Sequence, residues 1–484
     1  MERSLTPHHY DEFAHLDATA QAKLVRNGDI KAIELTEAAI DRIEHLNPLV
    51  NAIASHDFDL ARERARTVPT GGVFAGVPTL IKDLTAYPGH TVSYGSRLFA
   101  GLRANEGSAY TASLDAAGLV TLGKSATSEF GLIGTTESLA NGATRNPWDR
   151  SLSPGGSSGG AVAAVAVGMV PVAHASDGGG SIRGPSSFTG LFGFKPSRGR
   201  TVSNGMPPDL PTTRLISEHC VSRSVRDSYN WLLATQKPDI SAGLAPADIA
   251  TLPRAKRLKI GVYHRDTFGQ SPAPGVETIT NKAAALCRHL GHDVREIDGP
   301  RMNAKANGKA YFALTGFAIN SLLAQARNAM GPAFDPSLLE PYTLDLASRA
   351  QTLTHEDIVA CTKVLEAATA AANDAMEGFD VLLCPTIGFS AFPLGRHGPD
   401  HAPAEIDAMI ARLASYTVVA SLAGWPAMSV PLFMTDSDMP IGCHFAAAKD
   451  RDELLFSLAL ELEEANPWMP RLLDLQERLR WLNV

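Results

Sequence analysis

Ser153-Pro-Gly-Gly-Ser157-Ser158-Gly-Gly160-Ala-Val-Ala-Ala-Val-Ala-Val167-Gly-Met-Val-Pro171-Val-Ala-His174-Ala-Ser-Asp177-Gly-Gly-Gly-Ser181-Ile-Arg183 is the stretch that decides how this 484-residue chain folds. It opens on a glycine-rich loop. Gly160 to Val167 then reads as a helix of alanine and valine, apolar all round and therefore buried. Gly168 and Pro171 break the run, and Pro171 to Ala175 reads as a strand. A second glycine loop follows, with a serine at its end. Loop, buried helix, strand, loop is the pattern of an α/β sheet covered on both faces.

The same texture extends outward. Val77 to Ile81 and Val120 to Leu122 read as strands, with a helix over Tyr110 to Ala117 between them. Upstream, residues 17 to 47 read as two helices, capped by Asp17, separated at Gly28 and ended by Asn47-Pro48. Downstream, a helix near Val225 to Gln236 is followed by a βαβ-like unit. Its parts are strand Leu258 to Tyr263, helix Val276 to Leu290 and strand Asp293 to Ile297. Residues 305 to 375 read as mostly helical. Strands Val381 to Cys384, Ala427 to Leu432 and Pro440 to Phe445, then helix Glu453 to Glu464, complete the pattern.

No stretch reads as a clean linker; the turn-rich segments 204–212 and Asp248 to Pro253 are the only candidates. The expected architecture is α/β: one large domain over 1–484 with a central mixed, twisted sheet covered by helices on both faces. Its catalytic core would span 76–200, and peripheral loop and helical regions at 204–255 and 300–375 would shape a pocket.

Composition narrows the function. A net charge of −8 spread along the chain gives no support to nucleic-acid or anionic-membrane binding. The longest apolar stretch, Ala161 to Ala175, is broken and shorter than the ~20 residues that span a bilayer. Five scattered cysteines with no Cys-x-x-Cys pair read as reduced thiols. With no leader pattern at Met-Glu-Arg-Ser, the expectation is a cytoplasmic protein. No His/Cys/Asp/Glu cluster has metal-ligand spacing, so neither metal nor cofactor is expected.

Three fragments carry chemistry. Ser181 follows three glycines, whose backbone N–H groups can point into one concavity. Gly178, Gly179 and Gly180 would then form an oxyanion hole beside the Ser181 hydroxyl. That hydroxyl needs a base. Lys82 ends an apolar strand that would carry it inside, where burial lowers an amine's pKa. Ser157 can donate and accept at once, and so can pass a proton between the two. Alone, each fragment reads as something ordinary: a glycine turn, a strand-end lysine reaching solvent, a flexible loop. Their joint occurrence makes a site. His174 reads as a packed core side chain.

Gly76-Val-Pro-Thr-Leu-Ile-Lys82-Asp83, Ser153 to Gly160 and Asp177 to Arg183 resemble the signature region of the amidase signature family of serine hydrolases. So do Thr144-Arg-Asn-Pro-Trp-Asp149, Gly193-Phe-Lys-Pro-Ser-Arg-Gly-Arg200 and Ala423-Gly-Trp-Pro-Ala427. The resemblance implies that family's fold and a Ser–cis-Ser–Lys triad: Ser181 as nucleophile, Ser157 as the cis-serine, Lys82 as base. It implies a cis peptide between Gly156 and Ser157, with Asp177, Arg183 and Ser158 supporting the glycine loop and the triad. It departs at Gly178, where relatives commonly carry a larger residue, and at Ala126.

The implied reaction is hydrolysis of carboxylic amide C–N bonds through an acyl-enzyme. His174-Ala-Ser-Asp177 and the segment from Asp17 to Val25 resemble the branch that contains aminohexanoate cyclic-dimer hydrolase. That branch implies neutral small, cyclic or aryl amides, with carbamates or esters as side substrates. The implied partner is a small-molecule amide, with room for a homodimer. Two rival readings are the glutaminase subunit of a tRNA-dependent amidotransferase and a noncatalytic amide-binding protein on the same fold. Segments 204–220, 305–345 and 386–405 are expected to wall the pocket.

Two motifs mislead. Gly118-Leu-Val-Thr-Leu-Gly-Lys124-Ser125 matches a phosphate loop, but its apolar residues lie between the glycines, where a strand is expected. Gly156-Ser-Ser158-Gly-Gly160 matches a nucleophile elbow but lacks the buried strand before it.

Overall fold

Alternate residues of the strand Val381–Pro385 enter different cores. Val381 and Leu383 pack with Ile260, Val430 and Phe445, whereas Leu382 and Cys384 pack with Tyr416 and Trp425. Side chains along a strand point alternately to two faces. This strand is therefore covered on both sides, as its nearly continuous apolar sequence requires. The computed structural model describes residues 13–208, 210–238, 249, 252, 254, 256–480 and 482.

Thirteen strands are found among the described residues: β1 (Ile53–His56), β2 (Pro78–Lys82), β3 (Val120–Ser125), β4 (Glu137–Ser138), β5 (Gly142–Ala143), β6 (Val172–Asp177), β7 (Phe192–Lys195), β8 (Ser217–Ser222), β9 (Lys259–Val262), β10 (Asp293–Glu296), β11 (Val381–Pro385), β12 (Ala427–Met434) and β13 (Pro440–Ala447). Eight of them form the central sheet, in the order β10-β9-β11-β13-β12-β7-β8-β6. The β10–β9 and β9–β11 pairs are parallel, with helix Pro274–His289 connecting β9 to β10. The remaining pairs are antiparallel, so the sheet is mixed.

A second sheet, β1-β3-β2, lies against the β6 edge. Side chains rather than a backbone ladder join the two sheets. Thr79 Oγ1 donates to the Val172 carbonyl at 3.0 Å, and the Lys82 N–H donates to His174 Nδ1 at 3.3 Å. This seam puts the end of β2 beside the end of β6.

Helix Gly159–Ala166 is wholly buried. Its two glycines allow that closeness. A Cβ on Gly160 would lie 2.3 Å from the Ala126 nitrogen, and one on Gly159 would lie 2.3 Å from Thr136 Oγ1. The first two expected helices are present as Ala18–Asn27 and Ala32–Val50, with Asp17 capping the Ala20 N–H at 3.0 Å. The second runs through Pro48 instead of stopping there. Proline there lacks an N–H for the Glu44 carbonyl and its ring crowds that carbonyl, and burial of Leu49 and Val50 offsets the cost. The Asn47 side chain then accepts the N–H groups of Ala52 and Ile53.

The phosphate-loop lookalike is strand β3, with Lys124 buried in it. Of the linker candidate Asp248 to Pro253, Asp248, Ala250, Thr251 and Pro253 lie outside the described residues. Among the described residues no helix is long and apolar enough to cross a membrane.

Gly160→Ala is expected to lower unfolding free energy by about 1–3 kcal/mol, because its methyl meets backbone that cannot yield. Gly275→Ala, where a Cβ meets nothing within 4 Å, is expected to be neutral or stabilising by a few tenths of a kcal/mol. Denaturant midpoints of the two variants measure the contrast, and equal midpoints would contradict the packing argument.

Candidate active site

Every residue of β2 is buried, so the strand delivers the Lys82 amine into the interior with no route to water. The amine must find hydrogen-bond partners there. Lys82 Nζ lies 2.8 Å from Ser157 Oγ, 2.8 Å from Ser158 Oγ and 3.1 Å from Ser176 Oγ. Ser158 Oγ donates to the Ser176 carbonyl at 3.3 Å, which leaves it an acceptor towards the amine. A neutral amine has two N–H bonds and one lone pair. With the N–H bonds directed at Ser158 and Ser176, the lone pair is free to take the Ser157 proton. Burial pulls the Lys82 pKa down to about 7, against the opposing pull of the Glu218 and Asp177 charges. The amine is thus poised between its two forms near neutrality.

The Gly156–Ser157 peptide is cis, as the family resemblance implied. Thr136 holds the turn. Its hydroxyl donates to the Gly155 carbonyl at 3.0 Å and accepts the Gly159 N–H at 3.0 Å.

Strand β6 ends at Asp177, and the chain then turns through Gly178, Gly179 and Gly180. Gly180 has φ +143°, and a Cβ there would lie 2.4 Å from Thr417 Oγ1, so only glycine fits. Thr417 Oγ1 donates to the Gly179 carbonyl at 2.6 Å. No backbone hydrogen bond among the described residues uses the N–H groups of residues 178 to 181. Asp177 closes the loop from below. It accepts the Ile182 N–H at 3.1 Å and pairs with Arg183 Nε at 2.9 Å and Nη2 at 2.8 Å. Burial raises the Asp177 pKa, but the charge and hydrogen bonds of Arg183 outweigh it and hold the carboxyl at about 2. Arg183 in turn donates to the Thr417 carbonyl at 2.7 Å and Ser421 Oγ at 2.9 Å.

Ser181 is half-buried and lines a cavity of about 760 Å³, whose wall also includes Ser157, Ser176, Gly178 and Gly179. Lys82, Ser157 and Ser158 are therefore joined directly. Ser181 lines the cavity that Ser157 also lines, without a hydrogen bond to Ser157 in this structure. A Cβ on Gly178 would meet only Tyr311 Oη at 3.5 Å and Ile216 Cγ1 at 3.8 Å, so the missing side chain there does leave space.

The cavity wall draws on 204–218, inside the first expected segment, and on 311–346, which overruns the second by one residue at Leu346. The third, 386–405, does not line it. Ile387 and Phe392 pack on Phe188, and Pro393 bridges to Leu152. Leu84, Tyr94, Phe130 and Leu132 line the cavity instead.

Three further residues were not singled out from sequence. Ser176 and Glu218 are direct partners across β6 and β8, and Tyr311 stands over the glycine loop. Strand alternation from His174 would have flagged Ser176, had β6 been extended to Asp177. His174 is buried as expected, but it is no passive filler. Its Nε2 contacts Glu218 Oε2 at 2.8 Å, and Glu218 Oε1 accepts from Asn204 at 2.7 Å.

The sequence model of the amidase family matches residues 34–456 of this chain. The chain belongs to the amidase signature family. It is 36% identical over 464 residues to the putative amidase AmiC of Mycobacterium tuberculosis, covering 95% of this chain and 96% of that protein. The solved structure of 6-aminohexanoate cyclic dimer hydrolase complexed with substrate superposes with a TM-score of 0.88 at 33% identity, over 96% of this chain and 100% of that one. A bacterial aryl acylamidase of the same family gives 0.86 at 27% identity, over 97% and 99%. The protein is therefore an amidase, a hydrolase of carbon–nitrogen bonds, with a large mixed sheet flanked by helices.

Asp177→Asn is expected to destabilise the fold by about 3–5 kcal/mol, since it strands the buried Arg183 charge. The wild-type pair contributes stability above the ordinary carboxylate pKa and loses it as pH falls towards about 2. Unfolding curves of both proteins at neutral pH check the first claim, and a loss under 1 kcal/mol would contradict it.

Proposed function

We propose that this amidase works through a Ser–cis-Ser–Lys relay, with Ser181 as nucleophile, Ser157 as shuttle and Lys82 as base. The observation that carries the reading is the 2.8 Å contact between a fully buried Lys82 amine and the Oγ of Ser157, which lines the same cavity as Ser181. Ser181 Oγ attacks the amide carbonyl carbon. Its proton passes to Ser157 as the Ser157 proton passes to the Lys82 lone pair. The oxyanion is received by the unused N–H groups of Gly178, Gly179, Gly180 and Ser181, each such donor being worth ~3–4 kcal/mol of transition-state stabilisation. Collapse of the tetrahedral intermediate breaks the C–N bond. Ser157 protonates the departing amine and recovers a proton from Lys82. Water then hydrolyses the acyl-enzyme along the same relay. Asp177, Arg183 and Ser158 hold the glycine loop and the amine in register.

The cavity wall supports a reading of the substrate class. Its volume of about 760 Å³ suits a substrate well above acetamide in size. Leu84, Phe130, Leu132, Ile216, Phe312, Ile319 and Leu322 make it largely apolar. Glu106 and Glu218 are its only charged residues among those described, and no lysine, arginine or histidine lines it. A substrate carboxylate, such as that of glutamine, has no cation to pair with, which disfavours the glutaminase reading. Neutral amides with cyclic, aryl or extended apolar groups fit best, with esters and carbamates of the same shape as side substrates. The 6-aminohexanoate cyclic dimer hydrolase and aryl acylamidase relatives support that choice. We take the partner to be a small molecule, with no nucleic acid or membrane involved. The unpaired cysteines fit a reducing, cytoplasmic setting.

Ser181→Ala is expected to lower kcat on an aryl amide by about 10⁴-fold or more. A fluorophosphonate should label Ser181 of the wild type, as read by peptide mass spectrometry. The rate should fall as pH drops below about 7, where Lys82 takes up a proton. Full turnover by Ser181→Ala, or label found on Ser158 instead, would defeat the assignment.

A further inference from the structure

The relay accounts for the amine and two hydroxyls but leaves unused a buried carboxylate on the cavity wall. Glu218 is 6% exposed. It sits opposite Ser176 in the β6–β8 register, and His174 lies diagonally across from it. Residues two apart on a strand share a face. His174, Ser176 and Glu218 therefore project together, on the face of the sheet where Lys82 arrives from β2.

The hydrogen bonds around Glu218 fix the charge state of its neighbours. His174 Nδ1 accepts the Lys82 main-chain N–H, so the imidazole proton sits on Nε2 and is donated to Glu218. That imidazole is neutral. The other partner of Glu218, the Asn204 amide, is neutral as well. Tyr110, whose ring lies 5.5 Å from His174, has its phenol held protonated by burial and by the Glu218 charge. Asp177 is the other acid near Lys82, but Arg183 pairs with it through two hydrogen bonds. Ser157, Ser158 and Ser176 bring no charge. Asp83, next to Lys82 in the chain, bonds to Ser93 and faces Lys124. Among the described residues, Glu218 is thus the carboxylate near the amine that no lysine or arginine other than Lys82 faces.

We propose that Glu218, linked through His174 to the backbone of Lys82, is a positioning residue that sets the basicity of the catalytic amine. A lysine buried among hydroxyls alone would lose its proton affinity and become too weak a base to draw the Ser157 proton. A carboxylate fixed nearby stabilises the ammonium that forms when the relay fires. It does so without touching the substrate's reacting atoms. The direction of the Glu218 effect on Lys82, upward against burial, agrees with this role. The carboxyl itself stays ionised. Burial works against it, but its interaction with His174, then the Asn204 hydrogen bond and the Lys82 charge, hold its pKa below the ordinary value.

This inference rests on Lys82 being the base, and its test separates the two ideas. The rate of Ser181 labelling by a fluorophosphonate is measured across pH for the wild type, E218Q, E218T and E218D. Labelling needs the base but no substrate amide, so altered substrate binding does not enter. E218Q and E218T should each move the acid limb to lower pH by about one unit. E218D, which keeps the charge, should restore a limb within a few tenths of the wild type. E218T serves if E218Q fails to fold by circular dichroism. A limb that stays put in a folded neutral variant, or a rate lowered equally at every pH, would overturn the proposal. Failure of Ser181 to label in the wild type would instead sink the relay itself.

Discussion

The structure turns on keeping one amine out of water. An ammonium buried among hydroxyls is costly, and a neutral amine there is a useful base. Neither form would be held in place without the seam between the two sheets. That seam has no backbone ladder, so side chains do the joining. Strand β2 ends where β6 ends, and the lysine at one end meets the serines of the other and of the Gly155–Gly160 loop. The helix that follows this loop is buried and rich in glycine and alanine because it must lie close to Ala126 and Ala52. Packing of small residues thus fixes where Ser157 stands relative to Lys82.

A second constraint ties the glycine loop to distant sequence. Arg183 is wholly buried, and an unpaired guanidinium could not remain so. It spends its donors on Asp177, on the Thr417 carbonyl and on Ser421, while the Thr417 hydroxyl takes the Gly179 carbonyl. The glycine loop, whose N–H groups have no backbone acceptor among the described residues, is therefore held by one short helix, Val418–Ala423, and its preceding residue. Preorganised donors matter in catalysis because they need not be reoriented as charge develops.

Much of this could be read from the chain alone, and the exceptions have physical reasons. The buried helix, strands β2, β3 and β6 and the βαβ unit were legible because their apolar periodicity is local. The contact between Lys82 and Ser157 and the cis peptide before Ser157 were legible through glycine-rich context and family resemblance. The helix through Pro48 was not, since burial of Leu49 and Val50 overrides a local breaker. Ser176 was missed by ending β6 two residues early. Glu218 lies in Ser217-Glu-His-Cys220, which carries no motif; its meaning arises only when β8 pairs with β6. Tyr311 and the true cavity wall come from segments hundreds of residues apart, and long-range contact leaves no local signature. The segment 386–405 was assigned to the pocket but packs on Phe188, a side chain whose partners are set by tertiary structure.

These differences divide the molecule by kind of information. The groups proposed to move protons occupy Lys82 to Ser181, on strand ends and loops that leave no room for a Cβ at Gly156, Gly159, Gly160 or Gly180. The groups that would choose the substrate come from 84–132, 204–218 and 311–346, mostly loops and one face of helix Ala304–Met330. That helix packs chiefly against helices Pro341–Ala350 and His355–Met376 rather than on β2 or β6. At Gly178 the two sets meet: its N–H belongs to the loop, and the open space above it belongs to the cavity. A single methyl there would touch Tyr311 Oη at ordinary contact distance and narrow the cavity without displacing backbone. On the proposed relay, substrate preference is thus adjustable on that helix face and at Gly178, apart from Lys82, whereas Glu218 in the 204–218 wall is linked to Lys82 through His174.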